Sequence, residues 1–294
     1  MAARVAVVTD SAACLPAALA AAWNVLVVPL HVVVGQGSQP EGTPGLDHAV
    51  VAALAQIESG ADAHVSTSQP SPFECAAALE RASAHVEHVV VVSLSQELSG
   101  TAQVMRQAAR DARVPVTVVD SRTLGFGQGM AALSAAALSA HGASPREVIA
   151  EAERVARESF TLFTVDTLTH LSRGGRISPA VATIAGALGI KPVLGVTDGE
   201  VAVVERVRTT ARARRTVVER VAVAAAVPHS VVGVMTLPDD ADLDAQARQS
   251  LGEAGVNAVV SAPLSAVLAA HSGRGTLAMA AASVHPVLAE SLRA

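Results

Sequence analysis

Four hydroxyl residues crowd into the stretch Ser66-Thr67-Ser68-Gln69-Pro70-Ser71-Pro72, just before a segment that reads as a helix from about Phe73. Side-chain oxygens and free backbone N–H groups at a helix start can do two kinds of work. They can cap the helix, with proline in its first turn, or they can bind a carboxylate or phosphate. Ser93 to Thr101 repeats the arrangement, with Ser99-Gly100-Thr101 opening the next helix. Read as two loops at strand ends of one sheet, they could converge on a single anion.

Other candidates lie further along. In Ser172-Arg173-Gly174-Gly175-Arg176 two arginines flank a glycine pair. This is either a helix C-cap with its turn or a place where backbone comes close while a guanidinium reaches an acid group. His271-Ser272-Gly273-Arg274-Gly275 reads as a loop between a short helix and the extended run Thr276 to Ala280, where a lone histidine is expected to be exposed. The arginines from Arg206 to Arg220, Arg208 among them, read first as a solvated helix face. Gly125, Gly127 and Gly129 are spaced one residue too tightly for a dinucleotide fingerprint. There is no Walker A sequence, no G-x-S-x-G, no S-x-x-K and no H-E-x-x-H, which removes the commonest nucleotide-binding, hydrolase and metalloprotease signatures.

The elements that must hold these groups come in a regular order. Val5 to Val8 runs into Thr9-Asp10-Ser11 and a helix from Pro16 to Trp23. His88 to Val92 runs into the Ser93 loop and a helix from Thr101 to Ala112. Val116 to Val119 runs into Asp120-Ser121, a glycine-spaced loop at 125–129 and an Ala-rich helix. Strands alternating with helices indicate βαβ units and a parallel sheet, whose carboxyl ends are where such sheets bind ligands. After about residue 160 the pattern changes: a strand near Thr161 to Val165, a helix from Pro179 to Leu188, and two extended runs joined by Asp198-Gly199, a hairpin signal. The expected organisation is an N-terminal three-layer α/β/α domain with a mainly parallel sheet, residues 1–160, carrying the hydroxyl loops. A C-terminal α/β domain with a mixed sheet follows, residues 161–294.

Composition narrows the partners. The net charge is -5, the opposite of what a nucleic-acid binder needs. Hydrophobic residues make up 51% and aromatics only 2%, so base-stacking platforms are excluded and any apolar site must be walled by Ala, Val and Leu. Cys14 and Cys75 form no CxxC or framework and read as buried thiols in a reducing cytosol. Residues 11–40 carry no formal charge, but Pro16, Asn24, Pro29 and Gly35 break them into short elements, so no membrane span is expected there. Nor is Val5 to Val8 long enough for a signal-peptide core.

In this order the segments resemble the DegV family of bacterial fatty-acid-binding proteins. The matching stretches are Thr9-Asp10-Ser11, Val28-Pro29-Leu30, Thr67-Ser68-Gln69-Pro70-Ser71, Leu98-Ser99-Gly100-Thr101, Asp120-Ser121, Gly127-Gln128-Gly129, Gly174-Gly175-Arg176-Ile177, Ile190-Lys191-Pro192, and His271 with Gly273 and Gly275. The resemblance implies a two-domain α/β protein of the cytoplasm that holds one long-chain fatty acid and has no cofactor of its own. It implies that Thr67 and Ser99 bind the carboxylate, with Arg176, Arg208 and His271 near the head group or a partner contact. It further implies a non-catalytic role: a separate fatty acid kinase, related to dihydroxyacetone kinases and using ATP and Mg²⁺, would phosphorylate the carboxylate, and the acyl phosphate would feed phospholipid synthesis. Arg274 departs from the family's usual proline, Ala102 from a common aromatic, and Cys14 from a position more often acidic. Two rival readings are a serine-dependent acyl hydrolase or transferase, with Ser99 as nucleophile and His271 as base, and a sensor of another small carboxylic acid.

Overall fold

A computed structural model describes residues 4–178 and 190–293; the expected helix from Pro179 to Leu188 lies outside the described residues. The elements in chain order are β1 (Val5–Asp10), α1 (Ala17–Ala22), β2 (Val25–Val28), β3 (His31–Val34), β4 (Gly37–Pro40), α2 (Leu46–Glu58), β5 (Val65–Ser68), α3 (Pro72–Ala82), β6 (His88–Ser93), α4 (Thr101–Ala108), β7 (Val116–Asp120), α5 (Phe126–Ala140), α6 (Pro145–Glu158), β8 (Phe160–Thr164), α7 (Thr169–Arg173), β9 (Lys191–Thr197), β10 (Glu200–Val207), α8 (Thr210–Ala224), β11 (Ser230–Thr236), α9 (Ala241–Glu253), β12 (Val259–Pro263), α10 (Ala266–Ser272), β13 (Leu277–Ser283) and α11 (Pro286–Ser291).

The fold is α/β with a parallel sheet and a mixed sheet. The first is β2-β1-β6-β7, every pair parallel. Its strands are Val-rich on both faces because both are covered, as parallel sheets require. Val8, Val89 and Val91 pack with Cys75, Leu79 and Met105 of α3 and α4. Val5, Val7, Val90 and Val92 pack with Met130, Leu133, Val148 and Val155 of α5 and α6. Helix starts are fixed locally: Ser71 and Ser144 each form a capping box, with Glu74 and Glu147, and proline follows each in the first helical turn.

The second sheet has the order β10-β9-β8-β13-β11-β12. It is antiparallel except for β11 and β12, and its β9–β10 hairpin turns at Asp198-Gly199 as the sequence pattern predicts. One face packs under α8 and α9, with Val217, Val221 and Leu251 against Leu277, Met279 and Val232. The other shares a core with α5, so that Phe163, Leu194, Met235 and Ala280 belong to the same cluster as Val7 and Met130.

Three expectations need correction. A third sheet, β4-β3-β5, is antiparallel and was not anticipated, so Thr67 and Ser68 lie on a strand paired to Val32 and His31 and not in a loop. The two hydroxyl segments therefore meet from different sheets. Gly127 and Gly129 do not form a loop either, since α5 starts at Phe126. They are glycine because α5 is pressed against its neighbours: a Cβ would stand 2.8 Å from Thr161 Oγ1 at Gly127 and 2.6 Å from the Ala13 carbonyl oxygen at Gly129. His271 is likewise on the last turn of α10, not in the loop that follows.

Candidate functional site

Where the carboxyl ends of β1, β6 and β7 face the mixed sheet, and β5 and α10 lie over the top, the chain forms a partly open cavity of about 390 Å³. That is within the range of small-molecule sites, roughly 300–1,000 Å³. Its wall is aliphatic with one ring, Leu30, Leu94, Leu268, Met235 and Ala278 around Phe163, and at one end stand Thr67, Ser99, Arg176 and His271. Another depression, of about 470 Å³, is lined largely by Asp120, Arg122, Glu153, Arg157 and Asp198 and offers no comparable apolar wall.

The polar end is assembled from four elements. Thr67, on β5, has Oγ1 2.8 Å from Nε2 of His271. Ser99, just before α4, has Oγ 2.9 Å from Oγ1 of Thr101 and accepts from the Thr101 N–H at 3.3 Å. Arg176 follows the Gly174-Gly175 turn and donates from Nε to the Leu98 carbonyl at 3.3 Å and from Nη1 to the Gly174 carbonyl. Gly174 ends α7, as the C-cap reading has it, and the absence of a side chain there makes room for His271, whose Cε1 would lie 3.0 Å from a Cβ; the groups that Arg176 bonds here are backbone carbonyls.

His271 is neutral at neutral pH, because burial, reinforced by the charge of Arg176, pushes its pKa down to about 4. A neutral imidazole has one N–H. With the proton on Nε2 it donates to Thr67 Oγ1, and the Thr67 hydroxyl hydrogen is free to donate into the cavity. A base held at about 4 is poorly matched to proton abstraction near neutrality. Its ring is also bonded to Thr67, while Ser99 is bonded to Thr101, so the Ser99–His271 pair needed for a nucleophilic mechanism is not formed.

Two buried carboxyls that the motifs did not single out as functional position these groups. Asp10 accepts from the N–H groups of Ala12 at 3.2 Å and Leu94 at 2.9 Å and from Ser93 Oγ at 3.1 Å. It ties the end of β1 to the segment leading to Ser99, and burial pushes its pKa up. Glu41 accepts from the Val267 N–H at 3.1 Å and, with the Ser265 N-cap, fixes the start of the helix that carries His271; burial pushes its carboxyl up too. One signal could have found Glu41, as it is the first charge after the uncharged run 11–40. Arg208 stands apart: it is exposed between β10 and α8 and is not among the cavity's lining residues.

Among the described residues no helix is long and apolar enough to cross a membrane. A family model described as an uncharacterised protein of the DegV family matches residues 4–284. A DegV domain-containing protein of Streptomyces coelicolor is 38% identical over 214 residues, covering 72% of this chain and 74% of that one. Among solved structures, a DegV family protein of Thermus thermophilus described for its fatty acid binding is 33% identical, with a TM-score of 0.86 over 96% of this chain and 100% of that one. DegV of Bacillus subtilis, described as a fatty acid binding protein, is 26% identical, with a TM-score of 0.84 over 96% and 100%.

Proposed function

The chain belongs to the DegV family, and from that premise we propose that it binds one long-chain fatty acid, the tail in the aliphatic cavity and the carboxylate at Thr67 and Ser99. The observation that carries this reading is the cavity itself: an apolar wall with hydroxyls, a guanidinium and an imidazole gathered at one end. A carboxylate taken out of water is costly unless several donors meet it, and charge-assisted hydrogen bonds from the hydroxyls of Thr67 on β5 and Ser99 at the opening of α4 supply them. The tail gains about 0.8 kcal/mol per methylene removed from water, so a long chain outweighs an association cost of several kcal/mol.

The protein acts in this reading as a carrier in the bacterial cytoplasm. It presents the bound acid to a separate kinase of the dihydroxyacetone-kinase type, which uses ATP and Mg²⁺ to make an acyl phosphate for phospholipid synthesis. The exposed Arg208, outside the cavity, is assigned to the kinase contact. Native mass spectrometry of the purified chain tests the binding step: a co-purified fatty acid of intact mass is expected, and a chain that neither carries nor takes up fatty acids would overturn the reading. Reconstitution with such a kinase tests the second step. Arg208→Glu should lower acyl phosphate formation at unchanged fatty acid affinity; unaltered formation would remove Arg208 from the contact.

A further inference from the structure

The floor of the cavity is one face of the mixed sheet, and the strand register lays that face out in rows. Phe163, Ala278 and Met235 are cross-strand neighbours on β8, β13 and β11, and all three line the cavity. The small Ala278 between two large side chains makes a trough running along β13. Side chains alternate along a strand, so the next residue on this face toward the polar end is Thr276, which also lines the cavity. In the other direction the next row is Thr161, Ala280 and Gly233. It too is built of small residues, and nothing in the sheet itself would stop the trough there.

The start of α5 closes it. Phe126, one of four phenylalanines in the chain and fully buried, sits directly on Gly233, where a Cβ would lie 2.5 Å from its Cγ and 2.8 Å from its Cβ. Gly127 beside it rests on Thr161 in the same way. The Phe126 N–H points to Met235 Sδ at 3.1 Å, which fixes the ring-bearing residue to the cavity wall. Gly125 takes φ 63 and ψ -151, a backbone region open to little but glycine, so that the chain can turn into α5 at this point.

We propose that Phe126 is the end-stop of the acyl site: its ring, seated on Gly233, ends the trough over Ala278 and sets the longest tail the protein holds. This rests on the fatty-acid reading above. It is tested by titrating the delipidated full chain with saturated fatty acids of increasing length, by competition against a fluorescent fatty acid. In the wild type each added methylene should tighten binding about fourfold until the tail meets the ring, after which affinity falls. Phe126→Ala should move the optimum to tails at least about two carbons longer, and Phe126→Leu should move it the same way by less. Ala278→Val, which narrows the trough ahead of the stop, should move it to shorter tails. Because Phe126→Ala also opens a core cavity, Phe126→Leu and Ala278→Val carry the test if that variant does not fold. An optimum unchanged in the folded variants would overturn the end-stop and leave the fatty-acid reading standing. A wild type that binds no length would remove the reading and the end-stop with it.

Discussion

Replacing Thr67 by valine keeps the shape of the side chain and removes one hydroxyl. Two bonds depend on that oxygen: the one at 2.8 Å to His271 Nε2 and the one proposed to the ligand carboxylate. A hydrogen bond to a charged group contributes about 1.5–3 kcal/mol, so Thr67→Val should weaken fatty acid binding by roughly 13- to 160-fold. Ser99→Ala should fall in the same range. Both hydroxyls are proposed to meet the same carboxylate, so although Thr67 is bonded to His271 and Ser99 to Thr101, their losses should couple by about 0.5–3 kcal/mol. Thr67→Val and His271→Gln, which break the same contact, should couple in the same range, about 0.5–3 kcal/mol. Competition titration of the three single and two double variants measures both couplings, and urea unfolding of each apo variant separates lost binding from lost fold. A Thr67→Val protein within about twofold of wild type would refute the reasoning, since an effect that small lies far below the expected range.

His271 should titrate near 4 in the folded chain, visible in its imidazole NMR shifts. Its folded pKa lies below the unfolded 6.5, so between those values the unfolded state binds more protons. Its contribution to stability is then fully present above about 6.5 and is lost as pH falls toward 4, up to about 3 kcal/mol. His271→Gln should flatten that window, and an imidazole titrating near 6.5 in the native protein would contradict the assignment. Gly174→Ala has an acceptable backbone, φ -73, but its methyl meets the His271 ring. It should weaken binding at least about tenfold and raise the His271 pKa as the ring is pushed from its place; wild-type affinity would remove Gly174 from the site. Ser71→Ala breaks the capping box of α3 and should cost about 1 kcal/mol of stability in urea while leaving fatty acid affinity alone, because Ser71 does not line the cavity.

The parallel sheet was legible because β1, β6 and β7 are Val-rich runs each ending in Asp or Ser ahead of a helix, and the β9–β10 hairpin because Asp198-Gly199 is a strong turn signal. The small antiparallel sheet was not, since Val65–Ser68 carries three hydroxyl residues and reads as a loop until its pairing with His31–Val34 is seen. Thr67, Ser99, Arg176 and His271 were identified as separate candidates, and their meeting at one cavity is tertiary: His271 and Thr67 are 204 positions apart. The expectation that a lone histidine is exposed failed at His271 because Gly174 leaves space for the ring beneath a turn. Phe126 gave no chemical signal of its own, and Glu41 only its place as the first charge after the uncharged run 11–40. What they do depends on Gly233 and on α10, which lie more than a hundred residues further along.

The central claim is that a fatty acid carboxylate is held at Thr67 and Ser99 with its tail enclosed between the two larger sheets. A crystal structure of the chain loaded with a long-chain fatty acid tests it most directly. The account predicts carboxylate oxygens within hydrogen-bond distance of Thr67 Oγ1 and Ser99 Oγ and the tail running over Ala278 toward Phe126. A carboxylate bound elsewhere, or a tail lying outside the cavity, would contradict it.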